Sequence, residues 1–182
     1  MKTVVVPIAP GFEEIETITV VDILRRAGAR VSLAGTEEGP LKGSRGIHVM
    51  PDESLDNILD KEFDLIVLPG GQPGTDNLRN DARVSQLLKK MDGLRKSIAA
   101  ICAAPLILMD AEILGNHTIT SHPSVKSDLK DIAYKDNRVV VDGHIITSKS
   151  PGTAMEFSLK LVEILFGHER RDIVNQGVLA KI

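Results

Sequence analysis

The chain has a single cysteine, no tryptophan and only 3% aromatic residues among its 182. One thiol cannot close an internal disulfide, so no oxidising compartment is needed for folding, and a free thiol survives best in a reducing one. The cytoplasm is the expected location. No apolar run reaches the roughly 18 residues of a membrane span before charge or proline interrupts it, and Met1 leads through Lys2 straight into a strand-like run. Neither a transmembrane helix nor a signal peptide is expected. A basic surplus is also missing, with 22 Lys and Arg against 25 Asp and Glu and a net charge of -3. Without a basic stripe or tail, nucleic acid is not an expected partner. The 5 histidines lie in separate segments with no paired ligand spacing, so no metal site is expected. Repeats, low-complexity tracts and linkers are absent as well, which leaves a domain boundary nowhere to sit.

What remains is a chain that is 42% hydrophobic, rich in Val, Ile, Leu and Ala, and long enough to bury one sizeable core. Lys2 to Ile8 is a β-branched run; Glu13 to Ala27 then takes a helical pattern that Gly28 stops. Arg30 to Ala34, Ile47 to Met50, Asp64 to Leu68 and Ser97 to Ile101 read as further strands, and Asn80 to Met91, Ala103 to Ala111 and Thr153 to Phe166 as helices. Ile119, Val139 to Val141 and Ile145 to Thr147 complete the strand candidates. Strands alternating with helices imply an α/β fold, a mostly parallel sheet covered on both faces. In Pro69-Gly70-Gly71-Gln72-Pro73-Gly74 three Gly and two Pro fall within six residues, so the backbone must bend sharply there or lie close to something.

The chemistry centres on Cys102. The strand ending at Ile101 meets a helix whose first turn tolerates Pro105, which puts Cys102 at a strand-to-helix elbow with small alanines around it. A helix N-terminus favours thiolate over thiol, so a pKa below the free value of roughly 8.5 is expected; a small buried hydrophobe is the competing reading of the same residue. Glu16, Val20, Ile23 and Ala27 fall at i, i+4, i+7 and i+11, a partly apolar face on which a carboxylate is unusual. Beside a thiolate, burial and like charge would keep Glu16 protonated, although most helical glutamates are simply solvated. Glu13 and Glu14 are explained as acids at a helix N-terminus. His122, before Pro123, reads first as a turn residue. Arg45, Arg25, Arg26 and Lys149 are surface charges that would also serve to draw in an anion.

The segments Ala99-Ala100-Ile101-Cys102-Ala103-Ala104-Pro105, Leu68-Pro69-Gly70-Gly71, Pro10-Gly11-Phe12-Glu13-Glu14-Ile15-Glu16-Thr17 and Thr147-Ser148-Lys149-Ser150-Pro151-Gly152-Thr153 together resemble the ThiJ/PfpI superfamily. Within it the chain is similar to the parkinsonism-associated DJ-one proteins and their bacterial YajL relatives. The resemblance implies a single domain over residues 1–182, a flavodoxin-like sandwich with a nucleophile elbow, and a homodimer. It also implies site roles: Cys102 as nucleophile, Glu16 as its acid partner, the backbone N–H groups of Gly71 and Ala103 as oxyanion donors, His122 beside them, and Asp22 as an aspartate able to approach that histidine. The implied activity is a cofactor-free glyoxalase or deglycase acting on small reactive aldehydes, methylglyoxal and glyoxal, or on glycated amines.

The same thiolate suits a second function, a peroxide sensor on an oxidative-stress chaperone. A cysteine peptidase of the superfamily would carry His directly after the cysteine, where this chain has Ala103. A glutamine amidotransferase would place His and Glu two apart, whereas His168 and Glu169 are adjacent.

Overall fold

A computed structural model describes residues 1–180. The chain runs β1 (Thr3–Ile8), α1 (Glu14–Arg26), β2 (Arg30–Gly35), β3 (Leu41–Lys42), β4 (His48–Val49), β5 (Glu53–Ser54), β6 (Leu65–Leu68), α2 (Gly74–Arg79) and α3 (Ala82–Gly93). It continues through β7 (Ser97–Ile101), α4 (Pro105–Asp110), β8 (Val139–Asp142), β9 (Ile145–Ser148), α5 (Ala154–Phe166) and α6 (His168–Val178). Seven strands form one sheet in the order β5-β2-β1-β6-β7-β9-β8, parallel except where β8 runs antiparallel to β9. The long parallel strands β2-β1-β6-β7-β9 reproduce the flavodoxin-like order 2-1-3-4-5. β3 and β4 form a separate antiparallel hairpin.

The two-residue period of the strands builds two cores from one sheet. Val4, Val6, Leu65, Val67, Ala99 and Ile101 face one side and pack with Val20, Ile23 and Leu24 of α1 and Phe157, Leu161 and Val162 of α5. Val5, Ile66, Leu68, Ile98 and Ala100 face the other, under Leu78 of α2, Val84, Leu87 and Leu88 of α3 and Leu106 of α4. Each fully buried Val, Leu, Ile or Phe contributes about 1.5–3 kcal/mol relative to exposure, so these aliphatic layers carry the fold with few aromatics.

The pattern read from sequence differs from the structure at three places. The helix read over Asn80 to Met91 is α3, which starts two residues later because Asp81 leaves the helical conformation and caps it, its carboxylate accepting from the Arg83 N–H at 2.9 Å. The residues between the Gly- and Pro-rich loop and Asn80, which show no helical period of their own, form the short helix α2. α6 buries only Val174 and so lacks the apolar stripe by which a helix is read from sequence. Ile119 makes only an isolated bridge to Tyr134.

In sheets of this order, ligands bind beyond the carboxyl ends of the strands where the strand order reverses. That point lies between β1 and β6, and the loops after β1, β6 and β7 carry Glu13, Gly70 and Cys102.

Candidate active site

The glycine-rich loop after β6 is small because it lies against the loop after β1. A Cβ on Gly71, whose φ is +93°, would stand 2.5 Å from the Glu13 nitrogen and from the Gly11 carbonyl oxygen. The Glu13 N–H donates to the Gly70 carbonyl at 2.9 Å, which locks the two loops together. Phe12, fully buried, pins the first loop into the core. α1 starts from that fixed point, capped by the Glu13 carboxylate, which accepts from the Glu16 N–H at 2.7 Å. Glu13 is thus the helix-end acid expected from the sequence, and it also lines the cleft.

One turn on, Glu16 is 0% exposed. Its Oε2 accepts from the Gly70 N–H at 2.8 Å, while Oε1 is buried with no oxygen or nitrogen partner. Burial, reinforced by the Glu13 charge, raises the Glu16 pKa to about 7 against the pull of the Gly70 N–H and the Cys102 thiol. This is the protonatable carboxyl anticipated on the apolar face, where Val20, Ile23 and Ala27 are likewise buried.

Cys102 follows β7 with φ +66°, a left-handed conformation that a side chain resists. Two backbone bonds hold it there: its N–H donates to the Ser148 carbonyl at 3.0 Å, and its carbonyl accepts from the His122 N–H at 2.8 Å. Helix α4 begins only at Pro105, so the thiol sits in the turn before it. The thiol is partly exposed and lies within reach of the Glu16 carboxyl and of the Gly71 and Ala103 N–H groups. Gly70 leaves the room this requires, since a Cβ there would come within 2.7 Å of the Cys102 Cβ and 2.9 Å of Glu16 Oε2.

The expectation of a lowered thiol pKa is corrected by this setting. Burial first, and then the Glu16 carboxylate, push the Cys102 thiol up, and the Ala103 and Gly71 N–H groups only partly offset them. Placed this close together, the two acids titrate as a coupled pair.

A cleft of about 450 Å³ opens over the thiol, lined by Glu13, Arg45, Gly71, Cys102, Ala103 and His122 together with Ser44, Gln72, Ser124 and Pro151. His122 Nδ1 accepts from the Ser124 N–H at 3.2 Å and lies 2.7 Å from Ser124 Oγ. That leaves the proton of the neutral ring on Nε2. Asp22 does not join its own chain's cleft: it is half exposed and paired with Arg26 at 2.8 Å. The roles of Ser44, Gln72, Ser124 and Pro151 are not readable from spacing, because they arrive from four separate loops. Among the described residues no group of three or more His, Cys, Asp or Glu is placed to hold a metal ion. No helix among them is long and apolar enough to cross a membrane.

Comparison with known proteins agrees with this fold. The family model described as DJ-1/PfpI family matches residues 2–164. Protein dj-1beta of Drosophila melanogaster is 42% identical over 181 residues, covering 98% of this chain and 97% of that protein. Its crystal structure superposes with a TM-score of 0.96 over 98% of this chain and 97% of that one, at 41% identity. A Caenorhabditis elegans relative named glutathione-independent glyoxalase DJR-1.2 is 41% identical over 160 residues, 87% of this chain and 85% of its own length. With sheet order, elbow and near full-length similarity in agreement, the chain belongs to the DJ-1/PfpI family.

Proposed function

We propose that the protein is a glyoxalase or deglycase that uses Cys102 as nucleophile and needs no added cofactor. The observation that carries this reading is geometric: a partly exposed thiol beside a fully buried carboxyl and within reach of two backbone N–H groups. The thiolate adds to the aldehyde carbon of methylglyoxal, and the hemithioacetal oxygen takes the Gly71 and Ala103 N–H groups as donors. Glu16 gives its proton to the hemithioacetal oxygen, and the carboxylate left behind removes the proton on that carbon and returns it to the neighbouring carbonyl carbon, while the hydroxyl proton passes to the second oxygen. One carbon is oxidised and its neighbour reduced, so no outside oxidant enters. The thioester that results takes water, giving lactate and the free thiol. With an amine adduct of the same aldehyde, the thiol would enter after the amine leaves. The glyoxalase name of the worm relative supports this chemistry.

The test is methylglyoxal consumption by the purified protein with the product identified. Lactate formation that survives exhaustive chelation is expected. No turnover of methylglyoxal or of its amine adducts would leave the sensor reading, in which the same accessible thiol is oxidised by peroxide.

The homodimer is proposed on the exposed face of α1 and the neighbouring hairpin. Ile15, Ile18, Ile47 and Met50 are 56%, 44%, 58% and 65% exposed, an apolar surface of the kind that marks an interface. Asp22 falls on the same stripe of α1 as Ile15 and Ile18, so such a contact would carry it to a second copy. A monomer in sedimentation at working concentration would overturn this part.

A further inference from the structure

Of the four basic residues that the sequence offers to an anion, three are already engaged. Arg25 pairs with Asp52, Arg26 with Asp22 and Lys149 with Asp136. Arg45 alone lines the cleft over Cys102. It is exposed, and its side chain takes no ion pair or hydrogen bond among the described residues.

The loop that carries Arg45 is held firmly. Glu14, 5% exposed, accepts from the Arg45 N–H at 2.7 Å, the Ile47 N–H at 3.3 Å and the Ser44 hydroxyl at 3.1 Å. Burial alone would push the Glu14 pKa up, but the Arg45, Glu14 and Ile47 N–H groups and the Ser44 hydroxyl outweigh it and hold it below the ordinary value. The Ser44 N–H donates to the Phe12 carbonyl at 2.8 Å, and a Cβ on Gly43 would meet Glu14 Oε1 at 2.4 Å. A buried carboxylate with no part in the thiol chemistry therefore fixes Arg45, the one uncommitted cation lining the cleft among the described residues, at its rim.

We infer that the cleft receives a carbonyl compound bearing its own anionic group, a carboxylate or phosphate a few bonds from the reacting aldehyde, with Arg45 as the counter-charge. This rests on the nucleophilic reading of Cys102 and narrows its substrate class. The other charged groups facing the cleft leave Arg45 free for that role: the Glu13 carboxylate is taken by the N-terminus of α1, and Glu16 is sealed beneath the thiol. The Ser44 hydroxyl is committed to Glu14 and the Ser124 hydroxyl to His122 Nδ1, whereas the Gln72 side chain lines the same space and supplies donors to an anion. Methylglyoxal, small and neutral, uses none of them.

Two measurements test the inference. In turnover, Arg45→Gln should lower the preference for dioxopentanoate, an oxoaldehyde whose far end is a carboxylate, over methylglyoxal by about 10-fold in the ratio of kcat/KM values. In a test that needs no turnover, Cys102 is alkylated with iodoacetate or with iodoacetamide; the thiolate displaces iodide in both cases, and only the first reagent is an anion. The ratio of the two rates should fall by about 5-fold in Arg45→Gln, less in Arg45→Lys, and should fall with added salt in the wild type. If neither oxoaldehyde is consumed yet the alkylation ratio drops, the anion site stands and the glyoxalase reading falls. An alkylation ratio that Arg45→Gln leaves unchanged overturns the inference, whatever the turnover.

Discussion

Glu16→Gln is expected to lower kcat for methylglyoxal by about 10²-fold or more, the usual scale for losing a general acid or base, while making Cys102 more reactive towards iodoacetamide. Glutamine fits the same space: its carbonyl oxygen takes the Gly70 N–H now held by Oε2 at 2.8 Å, and its amide donates towards sulfur. The negative charge that pushes the thiol up is gone, so more thiolate forms at neutral pH. The proton carrier between the two substrate carbons is gone as well. A variant with a hotter thiol and a colder reaction separates proton transfer from thiol tuning, and Glu16→Leu loses the donor along with the carrier. If Glu16→Gln turns over methylglyoxal at near wild-type rate, another group moves the proton, with His122 the first candidate.

The same substitution has a signature in stability. The folded-state pKa of Glu16 is raised from 4.5 to about 7, so the folded protein binds this proton more tightly than the unfolded chain. The associated stability is fully present below the unfolded value and is lost as pH rises towards the folded one. Glu16→Gln has nothing to lose there. Relative to wild type, its unfolding free energy should therefore gain on the order of 3 kcal/mol between pH 4.5 and pH values above 7. Urea unfolding of both proteins across that range gives the comparison, and parallel curves would mean the carboxyl is not held protonated.

The sequence conveys the frame of the site better than its electrostatics. Alternation in Val4 to Ile8 and Ser97 to Ile101, with Pro105 just beyond, placed Cys102 at the end of a buried strand, and the spacing of Glu16, Val20, Ile23 and Ala27 marked the buried face of α1. Each rests on a local period that the backbone imposes. The thiol pKa does not: the helix end that would lower it can be read from the chain, but the burial that raises it depends on which loops close over sulfur. Arg45 can be named from the sequence as a charge able to draw in an anion, but its selection over Arg25, Arg26 and Lys149, like the place of Ser124, stayed obscure for the same reason. Arg45 and Ser124 reach the cleft only because Glu14 fixes one loop and His122, its N–H on the Cys102 carbonyl and its ring on Ser124, fixes the other. Asp81 shows a local signal overlooked, since an aspartate between two polar helical turns is an ordinary cap.

Cys102→Ser should remove turnover more completely than any other substitution, by about 10³-fold or more, because a serine hydroxyl has no accessible anion in this setting. The fold should survive it. The left-handed backbone at residue 102 is held by the Ser148 carbonyl and the His122 N–H rather than by the sulfur, and serine is close in size. The pH profile adds a second criterion. Wild-type kcat/KM should rise through pH about 7, where the Glu16 and Cys102 pair gives up the first of its two protons, and should persist well into the alkaline range because burial and the Glu16 charge hold the second one back. If nucleophile and proton carrier act as one unit, Cys102→Ser combined with Glu16→Gln loses little more than Cys102→Ser alone, far short of the product of the two separate losses. Residual turnover above about one hundredth of wild type in a well-folded Cys102→Ser protein, or losses that simply multiply, would mean that the aldehyde is not attacked by this sulfur.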